Sequence, residues 1–148
     1  METRPVDTCE LLGALRSIVE EGKEVRLTVT GSSMNPFLIH MRDSVILGPV
    51  DRPLRRGDIV MYVRPEGRNV LHRIRRISNE GLYIIGDGQT ETEGPLDKSC
   101  VWAIVKKVCR KGKWIAPGDT WWTFFSTVWL WVIPARRKIM GLARKIGI

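Results

Sequence analysis

Features that identify several common classes of protein are scarce or missing in this sequence. It has two histidines and three cysteines, and neither residue type forms the closely spaced pairs typical of metal sites. We therefore predict no metal ion and no other cofactor. The odd number of cysteines, at Cys9, Cys100 and Cys109, favours ordinary thiols over a disulfide framework. No internal repeat or low-complexity segment is present.

Apolar stretches long enough for export or membrane insertion are also missing. Residues 1–8 are polar, so we expect no secretory signal peptide, whose central part is apolar. The uncharged, aromatic stretch at 121–134 has 14 residues, which is short for a helix that spans a hydrocarbon core about 30 Å thick. The sequence therefore does not predict an ordinary transmembrane helix.

The size and charge of the chain indicate one basic globular domain. It has 148 residues, of which 43% are hydrophobic and 27% charged, with a net charge of +8. Such a charge suits nucleic acid, an anionic membrane or simple solubility. The basic residues are densest near the C-terminus and lack an interleaved aromatic stripe on the predicted strands. We therefore favour a membrane surface and predict no nucleic-acid partner.

The hydrophobic pattern predicts a mostly-β domain with helical segments at both ends. Apolar residues recur at helical spacing within 1–24, and this helix is expected to pack against the sheet. The segment 25–115 contains short apolar or alternating runs separated by turn residues, which predicts a barrel-like β-sheet domain. A hydrophobic, amphipathic helical tail is predicted at 116–148. The predicted strands are 25–29, 43–47, 59–63, 70–77, 82–85 and 100–108.

A serine-rich loop at 30–38 follows the first predicted strand. Gly31 permits a positive φ, and Pro36 biases the residue before it away from helix. We expect a rigid loop that holds one hydroxyl at the end of a sheet. Such a hydroxyl becomes a nucleophile only when a base lies within hydrogen-bond reach, about 3 Å.

The loop sequence Gly-Ser-Ser-Met-Asn-Pro-Phe-Leu at 31–38 resembles the Gly-x-Ser-Met-x-Pro-x-Leu box of type I signal peptidases and their LexA-like relatives. The resemblance continues, in the same order, through 56–60, 71–74 and 86–88. It implies a coiled β-sheet fold and makes the serine before the methionine, Ser33, the nucleophile. Ser32 and Met34 then flank the reacting group.

His72 is the candidate general base. It shares one face of its predicted strand with Val70 and Ile74, because side chains alternate along a strand. A histidine with an ordinary pKa of about 6.5 is largely neutral at physiological pH and can accept a serine proton. The sequence His-Arg-Ile at 72–74 resembles the histidine branch of the family, found in the endoplasmic reticulum, archaea and sporulating bacteria. We interpret the other histidine, His40, as a surface residue.

Two acids are candidates for orienting His72. Asp87 lies in the Gly-Asp-Gly segment that resembles the Gly-Asp-Asn box of the family. Glu93 is the nearest counterpart of a further acid that the histidine branch carries beyond that box, with Glu91 behind it. One oxyanion donor is expected to be the Ser33 N–H. Many signal peptidases carry a hydroxyl two residues before the nucleophile as the second oxyanion donor. Here that position is Gly31, which has no hydroxyl, so the second donor is expected to be Ser32 or a loop amide.

The C-terminal segment 121–148 is predicted to attach the protein to a membrane surface. Four of the six tryptophans lie at 121–134, and tryptophan favours the bilayer interface. The helical pattern that follows resembles a basic amphipathic helix lying in the interface plane, and its charge favours the cytoplasmic face. The alternative is a hydrophobic segment that caps the core of the sheet. The apolar positions on one helical face are Ala135, Ile139, Leu142, Ala143 and Ile146.

These observations predict a serine endopeptidase that cleaves signal or leader peptides. Its substrate is expected to lie as an extended strand near the serine, and the resemblance implies small side chains just before the cut. One alternative is a catalytically idle relative that serves as a membrane adaptor. Another is a LexA-like self-cleaving regulator. Two features argue against it: no helix-turn-helix pattern precedes the serine loop, and the base position holds His72 rather than a lysine.

Overall fold

A computed structural model describes residues 8–146. It contains an antiparallel sheet, with one helix before its strands in the sequence and three helices after them. Residues 1–7 and 147–148, at the outer ends of the predicted helical segments, lie outside the described residues. Short 3-10 turns occupy Lys98–Cys100 and Ile133–Ala135. The helices are α1 Thr8–Glu20, α2 Thr120–Ser126, α3 Val128–Trp131 and α4 Arg136–Lys145. The strands are β1 Val25–Thr28, β2 Ser44–Gly48, β3 Ile59–Val63, β4 Asn69–Ser78, β5 Gly81–Ile85, β6 Glu93–Leu96, β7 Val101–Arg110 and β8 Lys113–Ile115.

The strands form one open sheet in the order β1-β2-β7-β3-β4-β5-β6, with β8 paired to β7. The prediction of a mostly-β domain is confirmed. The predicted barrel-like closure is not found in residues 8–146. Closure requires the two edge strands of the sheet to pair, and the edge strands β1 and β6 do not pair with each other. Both are only four residues long and form the ends of the sheet.

Two apolar clusters explain why the middle of the sheet is buried. Alternate residues of β3 point to opposite faces, so Ile59 and Met61 join one cluster while Val60 and Tyr62 join the other. The first cluster also includes Val19 of α1, which packs against β1 and β7 as predicted. An uninterrupted apolar strand is therefore buried on both faces, typical of a central strand.

The aromatic tail is divided between the core and the surface. Trp122, Phe125 and Trp129 belong to the first apolar cluster, and the Phe125 ring lies 4.7 Å from that of Phe37. Trp131 is instead 80% exposed. The capping alternative therefore describes part of this segment. None of the helices within residues 8–146 combines the length and apolar character needed to cross a bilayer.

Candidate active site

The serine loop follows β1 and is held by its own hydrogen bonds and by buried side chains. Gly31 has a φ of 81°, as predicted, and its N–H donates to His40 Nδ1 at 2.8 Å. The Leu38 N–H donates to the Met34 carbonyl at 2.9 Å, and both side chains are buried in the core. These contacts fix the backbone around Ser33, whose side chain is half-buried.

A second loop, residues 86–89, packs directly against the serine loop. The Gly88 N–H donates to the Ser33 carbonyl at 2.8 Å. A side chain at Gly86 would collide with that same carbonyl, so the two backbones approach too closely for any residue but glycine. The Gln89 side chain closes the loop by accepting from the Gly86 N–H at 3.1 Å. Loop 86–89 therefore sets the position of the Ser33 backbone.

Ser33 and His72 line the same cleft, which has a volume of about 1090 Å³. Its apolar wall includes Leu12 and Leu15 of α1, and Arg64 lies among its polar lining residues. Among the described residues, no direct hydrogen bond joins the Ser33 hydroxyl to His72. The structure therefore brings the predicted nucleophile and base to one site without linking them directly.

Hydrogen bonds determine which nitrogen of His72 carries the proton. His72 is 3% exposed, and its Nδ1 lies 3.3 Å from the Tyr62 hydroxyl. The Tyr62 hydroxyl donates its proton to Glu93 Oε2 at 2.8 Å. Because that proton is already used, the Tyr62 oxygen accepts from an N–H on Nδ1. The neutral imidazole is then left with an unprotonated Nε2, which is the form that can accept a proton from a hydroxyl.

The surroundings keep His72 neutral and Glu93 ionised. The pKa of His72 is lowered to about 4, mainly by burial and then by the nearby charge of Arg64, whereas the charge of Glu93 acts to raise it. Burial raises the pKa of Glu93, but hydrogen bonds from Arg64 and Tyr62 outweigh this effect and hold it below its ordinary value. Burial, followed by Glu93, raises the pKa of Tyr62, so its hydroxyl stays protonated. Arg64 pairs with Glu93 at 2.9 Å.

The two candidate acids occupy different environments. Asp87 is fully buried and pairs with Arg73, with both of its oxygens at 2.8 Å from guanidinium nitrogens. Among the described residues it makes no hydrogen bond to His72. Glu93 instead reaches His72 through Tyr62, and Glu91 is exposed. Of the carboxylates considered, Glu93 is therefore the one connected to the histidine.

Donors for a developing oxyanion are present near Ser33. Within the described residues the Ser33 N–H has no protein acceptor, whereas the Gly31 N–H is already bound to His40. Gln89 also lines the cleft, and its Oε1 is bound to the Gly86 N–H, which leaves the side-chain Nε2 with its two donors. Ser32 is exposed at the cleft lining.

Sequence reasoning missed Tyr62, although the hairpin of β3 and β4 contained a signal for it. The register pairs Val60 with His72 and Tyr62 with Val70. Tyr62 is therefore the diagonal neighbour of His72 on one face of the sheet, within reach of a long side chain. Arg64 lies beyond the end of β3 and contacts Glu93 only through the tertiary fold.

The site thus combines a held serine, a neutral histidine with a free Nε2, and a carboxylate linked to that histidine through a tyrosine. Its residues come from the serine loop, β3, β4 and the start of β6. A comparison of the whole chain with models of known protein families and with curated proteins gave no match.

Proposed function

We propose that this protein is a serine endopeptidase in which Ser33 is the nucleophile and His72 the general base. The observation that carries this proposal is that the two residues, distant in sequence, line one cleft, in which Nδ1 of His72 lies 3.3 Å from a tyrosine hydroxyl that is hydrogen-bonded to Glu93. Catalytic hydrogen bonds are often long or absent before substrate binds and shorten in the complex. The lack of a direct hydrogen bond between the two side chains among the described residues is compatible with this role.

The chemistry follows from these groups. His72 Nε2 removes the hydroxyl proton as Ser33 Oγ attacks the peptide carbonyl, and the imidazolium then protonates the leaving amine. Water hydrolyses the acyl-enzyme with the same histidine as base. The charge of Glu93 stabilises the imidazolium, and the Tyr62 hydroxyl accepts from Nδ1–H, so that Nε2 is the nitrogen that takes up the proton. The Ser33 N–H and the Gln89 side-chain amide are the proposed oxyanion donors.

The substrate class follows from two unpaired strand edges and from the resemblance. β1 pairs only with β2, and the pairing of β5 with β4 begins at Arg73. The outer edge of β1 and residues 69–72 of β4 therefore leave main-chain groups unpaired, and residues of both strands line the cleft. An extended peptide can add to such edges by main-chain hydrogen bonds. The likeness to signal peptidases favours signal or leader peptides with small side chains before the cut.

Labelling with a fluorophosphonate probe tests the nucleophile directly. We expect a single adduct, located on Ser33 by mass spectrometry of the digested protein. Ser33→Ala should abolish labelling, and His72→Gln should slow it at least 100-fold, the usual contribution of a general base. Ser32→Ala is the matched control, because Ser32 is the exposed neighbouring hydroxyl. An unlabelled folded protein would favour the idle adaptor, and an adduct on Ser32 would overturn the assignment of Ser33 as nucleophile.

We also propose that the exposed side of the tail binds an anionic membrane surface. Trp131, Leu142 and Ile146 are 80%, 61% and 62% exposed. α4 also carries exposed basic residues, each of which contributes about 1 kcal/mol of attraction near anionic lipid. This combination suits an interfacial helix.

Vesicle sedimentation tests this attachment, provided that the variants spare the core. Deleting the whole tail would remove the buried Trp122 and Trp129 and destabilise the fold. The triple change of Trp131, Leu142 and Ile146 to serine keeps the core, and we expect it to weaken binding to phosphatidylserine vesicles at least tenfold. Leu11→Ser, at an apolar position of α1 that is 41% exposed, is the control. Equal binding of all forms would contradict the attachment.

A further inference from the structure

Arg136 is a buried cation whose hydrogen bonds all end on main-chain carbonyls. It is 0% exposed, and it forms no ion pair with a carboxylate among the described residues. Its guanidinium donates to the carbonyls of Trp129 at 3.0 Å, Gly86 at 3.1 Å and Gln89 at 2.9 Å. Burial lowers its pKa to about 10, so it remains charged at neutral pH. Because an unpaired buried charge is costly, these carbonyls are what stabilises it in place.

Trp129 adds a second contact from the tail to the same loop. Its indole Nε1 donates to the Asp87 carbonyl at 2.6 Å. The Arg136 guanidinium carbon lies 5.1 Å from the centre of a Trp129 ring, within range of a cation–π interaction. The tail therefore binds the carbonyls of Gly86, Asp87 and Gln89.

The opposite side of this loop holds the nucleophile. The Gly88 N–H donates to the Ser33 carbonyl, and a Cβ at Gly88 would lie only 2.9 Å from the Ser32 carbonyl. The loop is thus bound by the tail on one side and binds the serine loop on the other. If Arg136 or Trp129 moved, loop 86–89 would move with it and would shift the Ser33 backbone. That backbone includes the N–H proposed to bind the oxyanion.

We propose that Arg136 and Trp129 are positioning residues of the peptidase site, which means that this inference rests on the proposed function. Neither residue lines the cleft that contains Ser33. Their effect is therefore on the geometry of the reacting serine and on the oxyanion donor beside it. Loss of either contact lowers kcat and leaves KM nearly unchanged, because substrate binding along the strand edges is retained.

Trp129→Phe is the test variant, with Trp122→Phe as its matched control. Both tryptophans are buried, at 4% and 7% exposure, and both pack in the first apolar cluster. Trp129 donates to loop 86–89, whereas the described hydrogen bonds include none from the Trp122 indole. Arg136→Lys is the second variant: it keeps the charge but loses the planar fork that reaches several carbonyls at once.

The full-length variants are compared by amide hydrogen exchange at Gly88 and by the kinetics of peptide cleavage. We expect Gly88 exchange at least tenfold faster in Trp129→Phe and Arg136→Lys than in the wild type. We also expect kcat to fall about tenfold, an effect of the size that small misplacements of a reacting group produce, with KM within twofold. Trp122→Phe should change neither quantity more than twofold.

The two readouts separate failure of this inference from failure of the proposed function. Unchanged Gly88 exchange in Trp129→Phe and Arg136→Lys would overturn the inference. Faster exchange with unaltered kcat in an active enzyme would overturn it as well, because the loop would then not position the serine for reaction. If the wild type cleaves no peptide, the peptidase proposal and the positioning role both fall, while faster exchange would still show that the tail holds loop 86–89.

Discussion

Tyr62→Phe isolates the link between the proposed base and its acid. The substitution removes the hydroxyl that lies 3.3 Å from His72 Nδ1 and 2.8 Å from Glu93 Oε2. The ring is fully buried in the second apolar cluster, and a phenyl ring fills nearly the same space. Any effect therefore comes from the lost hydrogen bonds rather than from a cavity.

The expected magnitude follows from these two bonds. A hydrogen bond to a charged group contributes about 1.5–3 kcal/mol and a neutral one about 1 kcal/mol. Glu93 keeps its bonds to Arg64, so the variant leaves no unpaired charge there. We expect the free energy of unfolding to fall by about 3 kcal/mol. If about 2 kcal/mol of imidazolium stabilisation is lost in the transition state, kcat falls about 30-fold.

The assay combines urea unfolding with kcat and KM for a cleaved peptide. Tyr83→Phe is the control, because the Tyr83 hydroxyl also donates to a glutamate, Glu80, at 3.1 Å but at an exposed position. It should cost less than 1 kcal/mol of stability and leave kcat unchanged. If Tyr62→Phe is destabilised but keeps its kcat within twofold, Tyr62 has a structural role only and the link does not assist catalysis.

Three further predictions concern the ionisable groups His72, Asp87 and Glu93. Below pH 6.5 the His72 side chain of the unfolded chain takes up a proton, whereas folded His72, with its pKa of about 4, does not. The free energy of unfolding should therefore fall by about 3 kcal/mol from pH 6.5 to pH 4. Urea unfolding against pH checks this, and a slope unchanged in His72→Gln would contradict it. Asp87→Asn leaves Arg73 buried without a counter-charge and should cost about 3–5 kcal/mol in thermal unfolding; a loss below 1 kcal/mol would contradict the pairing. Glu93→Gln should lower kcat about tenfold, as expected when a charge that favours the imidazolium is removed; an unchanged kcat would exclude Glu93 as the orienting acid.

The central strands of the fold could be predicted because their signals are local. The apolar run at Ile59–Val63 has the bounds of β3, and the loop after it implied the hairpin with β4. β6 and β8 were missed because their pairing depends on neighbours rather than on pattern. β6 contains Gly94 and Pro95, residue types depleted in strands, and β8 has only three residues.

The site could be predicted only where a short segment determines the position of its residue. Gly31 and the serines that follow it indicate a held loop from sequence alone. The choice between Asp87 and Glu93 depends instead on partners elsewhere in the fold, namely Arg73 and Tyr62. Strand alternation offered a clue to this choice that was not used. His72 and Arg73 are consecutive and must point to opposite faces of β4, so an acid that pairs with Arg73 is not expected to pair with His72 as well.

The tail shows the same limit. Helical spacing groups the apolar residues of 121–148 but does not say whether core or lipid covers them. Trp129 and Trp131 are two residues apart, yet the first is 4% exposed and the second 80%. Residues two apart on a helix lie on opposite faces, and Trp129 lies on the face that contacts loop 86–89. Which face is covered depends on that loop, to which the local sequence gives no guide.

Cleavage of a peptide library by the full-length protein in detergent tests the central claim most directly. Wild type, Ser33→Ala and His72→Ala would be compared after circular dichroism shows that each is folded. We predict cleavage by the wild type alone, at sites preceded by small side chains. Cleavage that persists in folded Ser33→Ala, or no cleavage by any folded form, would contradict the assignment of Ser33 and His72 as nucleophile and base.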